Sequence, residues 1–408
     1  MFNLNQIRLD FPILNSTRNN QPLVYFDNAA TTQKPKIVID TISDFYSNYN
    51  SNIQRGMYFL ADRATTEFEK SRRVVRKFLN AQLKEEIIFT SGTTQSINMV
   101  AFGFLNTVSS AGDEVLIGEM EHHANIVPWQ VICDKLKLKI VTIKCCENGK
   151  IDIWDLKNKM NSKVKLLAVQ QTSNITGHEN NIKEICNLAQ KQNIKVFVDG
   201  AQSVSHKPIN LQDLNCDFFS FSGHKCFGPT GVGVLYGKKE LLLKMEPFMF
   251  GGNMIDLVSF SKTTWGKLPY KFEAGTVNIA GVIGLGAALK YILSLGLNNI
   301  QKQEDLLKEK MWEELGAAKN VVMGLTKKPD SPIFSFNIKS THSYDVGSLL
   351  DEMNICVRTG HLCAQPAIKS LGVSGFVRAS LCFYNTEEEV SVFISALKRI
   401  MKIVNNGN

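Results

Sequence analysis

The stretch Asp217–Gly237, DFFSFSGHKCFGPTGVGVLYG, decides how the chain is read. Apolar residues suited to a buried strand run into Ser222-Gly223-His224-Lys225. A glycine-rich turn and a second apolar strand follow. A lysine at the mouth of a buried strand is either a surface residue ending that strand or an amine held in a cleft for covalent chemistry. Glycine and serine beside it let backbone and hydroxyl approach a bound group closely.

Upstream segments repeat the strand-then-helix pattern. PLVYFD precedes KIVIDTISDFYSNY, EEIIFTSG precedes TTQSINMVAFGFL, and DEVLIG precedes NIVPWQVICDKL. KIVTIK precedes DIWDLKNKM, VKLLAVQQTS precedes KEICNLAQKQ, and KVFVDGAQS leads to the opening strand itself. Near-continuous apolar strands separated by amphipathic helices predict an α/β fold, a mostly parallel sheet sandwiched by helices. Beyond about residue 285 strands become fewer and return through hairpins and single helices, which predicts a smaller α+β domain. A chain of 408 residues exceeds one simple core. The expected division is 15–285 as the large domain, with 1–14 and 286–408 forming the small one that carries a cysteine loop.

Composition narrows the function classes. With 44% hydrophobic and 21% charged residues the chain reads as a soluble globular protein. The net charge of +8 is dispersed, and its densest run, Glu69–Phe78, alternates with valines at helical spacing. That pattern reads as a solvated helix face and argues against nucleic-acid binding. No apolar run nears the roughly 20 residues of a membrane span, and the N-terminus lacks a secretory pattern. Nine irregularly spaced cysteines fit free thiols in a reducing compartment. The expected location is the cytoplasm, or an organelle stroma or matrix if a transit peptide has been removed. Cys145-Cys146 has no second pair or histidine cluster beside it, so no metal site is expected.

In an open parallel sheet ligands bind beyond the carboxyl ends of the strands. Four kinds of group stand there. Ser91-Gly92-Thr93-Thr94 opens a helix, offering hydroxyls and free N–H groups to a phosphate. His122 and His123 offer a flat imidazole. Asp199, directly after KVFV, needs a cationic partner that no sequence neighbour supplies. Lys225 offers its amine. Together they match pyridoxal 5′-phosphate, with lysine as covalent anchor, carboxylate on the pyridine nitrogen, a flat ring against the cofactor and a helix start at the phosphate. In the small domain, CVRTGHLCAQP brings Arg358 and Cys363 together, and Arg378 opens RASLCFYN. Arginine suits an amino-acid carboxylate. A loop cysteine with basic and histidine neighbours is a candidate nucleophile.

These segments, with YFDNAATTQKP, TSGTTQSINMVA, MEHHANIVPWQ, FEAGTVN and YDVGSLLD, resemble the SufS-type (group II) cysteine desulfurases of the class-V aminotransferase family, within the fold-type I pyridoxal-phosphate transferases. The likeness runs over nearly the whole chain. It implies that Lys225 holds the cofactor and moves protons, that His122 stacks on the ring and acts in acid–base steps, and that Asp199 and Gln202 contact the pyridine nitrogen and phenolate oxygen. Thr93, Thr94, Ser222 and His224 would bind phosphate, with Thr276 reaching across from the second subunit of a homodimer. Asn174, Arg358 and Arg378 would address L-cysteine, and Cys363 would accept its sulfur for an acceptor protein like SufE or SufU. The alternatives are a selenocysteine lyase and a catalytically silent assembly scaffold; retention of both Lys225 and Cys363 argues against the scaffold. Gln54, Gln95 and Leu362 depart from the family pattern, where histidine, glutamate and histidine are common.

Overall fold

The computed structural model describes residues 2–406. Its centre is a seven-stranded sheet made of β1 (Ile87–Thr90), β2 (Glu114–Gly118), β3 (Lys139–Ile143), β4 (Val164–Gln170), β5 (Lys195–Asp199), β6 (Phe218–Ser222) and β7 (Gly233–Gly237). The spatial order is β1-β7-β6-β5-β4-β2-β3. All run in one direction except β7, which is antiparallel to β1 and β6. The opening stretch thus supplies β6, the turn with Lys225, and the single reversed strand.

Successive side chains of a strand point to opposite faces, and both faces here are covered. Ile87 and Phe89 of β1, with Phe219 and Phe221 of β6, face a core closed by helices α1 (Lys36–Asn48), α2 (Phe59–Phe78), α5 (Ile182–Lys191) and α6 (Ile279–Leu295). Ile88 and Phe218 face the opposite core, closed by α3 (Thr93–Val100) and α4 (Val127–Leu136). This sandwich is the architecture expected from the strand-and-helix alternation. No single described helix is long and apolar enough to cross a membrane.

The second layer is a four-stranded antiparallel sheet of β8 (Val321–Met323), β9 (Ile333–Ile338), β10 (Arg358–Gly360) and β11 (Phe376–Ser380), ordered β8-β9-β11-β10. Helices α7 (Leu297–Ala317), α8 (Ser343–Asp351) and α9 (Glu387–Asn406) pack on it through Leu307, Met311, Val346, Leu350, Phe393 and Leu397. The N-terminal segment lies where the two cores meet. Ile7, Phe11 and Leu14 pack in the large core beside Phe383 and Tyr384, while Val24 and Phe26 belong to the small one.

Two readings are corrected. PLVYFD does not begin the large sheet: Val24–Tyr25 pairs in parallel with Ile355–Cys356. Its apolar run requires burial but does not name the partner strand. Nor is the basic run Glu69–Phe78 wholly a solvated face. Arg73, Arg76 and Lys77 are exposed, but Arg72 is fully buried. Its guanidinium gives hydrogen bonds of 2.8 and 2.9 Å to Glu273 and one of 2.7 Å to the Ile87 carbonyl. A charge can enter the core only when so paired.

Candidate active site

A cavity of about 270 Å³ opens at the carboxyl ends of the strands, between the large sheet and the small domain. Every residue to which the resemblance gives a catalytic, cofactor or substrate role lines it except Thr276, which is exposed elsewhere beside Asn52, Arg55 and Gly275; His123, Ser91 and Gly92 also lie off its lining.

On the phosphate side, β6 ends at Ser222 and β1 runs into α3. The Thr93 amide and hydroxyl both meet the Ser222 hydroxyl at 2.9 Å, and Thr94 follows at the cavity wall. The two elements come this close because β7 lacks a side chain where they meet: a Cβ on Gly233 would lie 2.5 Å from Gly92 Cα. Gln95 accepts a hydrogen bond from the Ser91 amide, so the departure at this position serves the same loop.

Lys225 sits in the single turn Gly223–Lys225 after β6. The turn is pinned from outside through the His224 carbonyl, which accepts from the Thr31 hydroxyl at 3.0 Å and the Lys34 ammonium at 2.9 Å. Burial pulls the Lys225 amine below the ordinary lysine range, with Asp199 opposing. An amine so shifted is easier to deprotonate and hence a better nucleophile toward an aldehyde. Asp199, at the end of β5, accepts from the Ala201 amide at 2.9 Å. Burial raises its pKa, which the Ala201 hydrogen bond and Lys225 only partly offset. It is a carboxylate short of a cation.

His122 takes its position from the turn after β2. Its Nδ1 accepts from the Ala124 amide at 3.0 Å, which leaves the proton on Nε2. Burial and the nearby Lys225 push its pKa down to about 3, so the ring is neutral at working pH. Gln202 gives a hydrogen bond of 2.7 Å to the Ala29 carbonyl.

Arg378 enters from β11. Its Nη1 gives to the Asn174 carbonyl at 3.0 Å and its Nη2 to Asp27 at 3.1 Å. Nε of Arg378 and Oδ1 of Asn174, on two residues that line the cavity, are buried without partners. Arg358 is half exposed and lies 3.9 Å from Asp27. Asp27 gave no functional signal of its own, being one residue inside a longer motif; its role as anchor to both arginines emerges only from the fold.

The cysteine loop is strained. Leu362 and Cys363 both adopt left-handed backbone, at φ 53° and 56°. Each non-glycine residue held there costs about 1–2 kcal/mol. The compensation is visible. Leu362 is buried among Met120, Ile175, Ala367 and Phe376, and burying a leucine contributes about 1.5–3 kcal/mol. Asn174 Nδ2 gives to the Leu362 carbonyl at 2.8 Å, and the His123 amide gives to the Cys363 carbonyl at 2.7 Å. All nine cysteines are free, and Cys363 is exposed at the cavity.

A neutral imidazole at the wall, a buried carboxylate without its cation, a hydroxyl-lined helix start and an amine with a lowered pKa define a pyridoxal-phosphate enzyme of fold type I. The residues fit the cofactor: Asp199 lacks the positive charge that a protonated pyridine nitrogen brings. A family model for class-V aminotransferases matches residues 24–393. The chain belongs to that family. It is 44% identical over 405 residues to the cysteine desulfurase of Escherichia coli O127:H6, covering 99% of each chain. The apo cysteine desulfurase of Thermococcus onnurineus NA1 superimposes with a TM-score of 0.93 at 38% identity, covering 98% of each. The E. coli cysteine desulfurase CsdA, in its S-sulfonic acid form, gives 0.92 at 37% identity over 99% of each.

Proposed function

We propose that the chain is a SufS-type cysteine desulfurase, converting L-cysteine to L-alanine and leaving the sulfur as a persulfide on Cys363 for iron–sulfur cluster assembly. One observation carries this reading: Cys363 lines the same cavity as Lys225, Asp199 and Arg378. The compact Arg-Thr-Gly-His-x-Cys loop supports the SufS type.

Bound at this site, pyridoxal phosphate supplies an electron sink that acidifies the substrate's α-hydrogen. Lys225 would hold the cofactor, and its Nζ would take and return a proton at the substrate's α-carbon. Asp199 would hold the positive charge on the pyridine nitrogen, and neutral His122 would offer its Nε2 proton. Arg378 grips the substrate carboxylate, its other donors being spent on Asn174 and Asp27. The Cys363 thiolate then attacks the substrate sulfur. An S–S bond forms as the C–S bond breaks, Cβ keeps the electron pair and takes a proton, and alanine leaves. Cysteine plus thiol gives alanine plus persulfide, with nothing left over. The decisive assay mixes protein, pyridoxal phosphate and L-cysteine, and measures alanine and sulfide with and without a reductant. Absence of alanine refutes the reading.

A homodimer is part of the same proposal. Phe260, Leu257, Val258 and Phe250 are exposed around the hairpin Ile255–Trp265; Met57 and Phe59 are exposed as well. An apolar surface of this kind marks an interface. Thr276 lies outside its own cavity, where a second subunit's phosphate site can use it. A fully active monomer in light scattering at assay dilution contradicts this. The sulfur acceptor would be a SufE- or SufU-like protein docking at the Cys363 mouth.

A further inference from the structure

Sequence pairs His122 with His123 but leaves the second ring without a task. In the structure His123 spans the cysteine loop. Its amide gives to the Cys363 carbonyl at 2.7 Å, and its ring Nε2 accepts from the Gln365 amide at 2.9 Å. The two contacts straddle Ala364, so the segment from Cys363 to Gln365 is held at both ends by one residue of the large domain. On the other flank Leu362 is anchored by burial and by Asn174.

The two anchors differ in kind. Leu362 is fixed by apolar packing within a cluster drawn from both domains. The Gln365 amide, at the start of the short helix Gln365–Ser370, hangs on one side-chain acceptor. For Nε2 to accept, the ring must be neutral with its proton on Nδ1. Burial and the neighbouring His361 lower its pKa, which favours the neutral ring. The ring therefore adds, on the Gln365 side, to the burial of Leu362 and the bonds from Asn174 and the His123 amide that hold the left-handed turn.

We propose that His123 is a positioning residue for sulfur transfer: through Nε2 it holds the Cys363 loop at the cavity mouth, setting both the thiol's aim at the substrate sulfur and its access to outside reagents. The inference rests on the desulfurase reading for the first effect and on geometry alone for the second.

The test uses holoenzyme carrying His123→Ala or His123→Gln. Both keep the backbone bond to Cys363; only glutamine restores an acceptor where Nε2 stood. Iodoacetamide labelling of Cys363, followed by peptide mass spectrometry with exposed Cys146 as internal reference, reads loop access without turnover. Losing one neutral hydrogen bond is expected to speed labelling of Cys363 in His123→Ala about fivefold. Alanine release in a single turnover is expected to fall roughly tenfold, because a displaced nucleophile loses its near-attack geometry. Cofactor absorbance and the KM for cysteine should stay at wild-type values, and His123→Gln should recover most of both effects. Unchanged labelling and turnover in His123→Ala overturn the proposal. So does a glutamine variant as impaired as the alanine one, since bulk and not the acceptor would then matter. A wild-type enzyme that makes no alanine refutes the desulfurase reading, while the labelling result still decides the clamp.

Discussion

Arg378→Ala isolates the grip on substrate. In the folded protein Arg378 spends one Nη1 hydrogen on the Asn174 carbonyl and one Nη2 hydrogen on Asp27. That leaves one hydrogen on each Nη for a ligand at the cavity, while Nε is buried without a partner. A carboxylate facing this fork can take two charge-assisted hydrogen bonds, each worth about 1.5–3 kcal/mol in net terms. The cavity is open, so water recovers part of that, and about 3 kcal/mol is the expected loss. That corresponds to a roughly hundredfold rise in the KM for cysteine. The grip acts equally in ground and transition states, so kcat should change far less. Arg378→Lys keeps the charge but not the planar fork, and should cost about tenfold. The assay follows alanine formation against cysteine concentration, with cofactor absorbance confirming an intact site. A KM within about threefold of wild type in Arg378→Ala, with absorbance intact, refutes the assigned role.

Lys225→Ala should lose the pH-sensitive yellow absorbance of bound cofactor and all turnover; normal turnover sinks the anchor assignment. Cys363→Ala should keep the absorbance, lose nearly all cysteine desulfuration and retain part of any selenocysteine cleavage, since selenium leaves carbon with less help; wild-type desulfuration would favour direct β-elimination. Glu273→Gln takes from the buried Arg72 its fully buried counter-charge, leaving the partly exposed Glu69 at 3.3 Å, and should cost about 3 kcal/mol, read as a lower midpoint in urea unfolding. His206 is buried against Glu304 at 2.8 Å; burial lowers its pKa, but Glu304 outweighs this and the net shift is upward. The pair therefore stabilises the fold fully below the ordinary histidine pKa and loses its contribution as pH rises through the raised one. The wild type's advantage over His206→Gln in thermal unfolding should be larger at about pH 6 than at about pH 9; an advantage independent of pH contradicts it.

Strand-end chemistry was legible in the sequence because it is local. An apolar run of strand length predicts a buried strand, and the residue directly after it must lie at the sheet's edge. That logic places Thr93, His122, Asp199, Ser222 and Lys225 at one rim without knowledge of strand order, and the cavity collects all of them. The cofactor follows, since few ligands want a phosphate cradle, a carboxylate and an amine together. The partners that orient these groups were not legible. Asp27 meets Arg378 across a separation of 351 residues, Arg72 meets Glu273 across 201, and Gln365 meets His123 across 242. Nothing in the neighbourhood of either member announces such a pair. Val24–Tyr25 likewise reads as a strand but finds its partner at Ile355–Cys356 only after the small domain has formed. The left-handed turn at Leu362 and Cys363 is the sharpest case, because local preference opposes it. It persists because burial of Leu362 and hydrogen bonds from Asn174 and His123 outweigh local strain, and those contacts exist only in the folded chain.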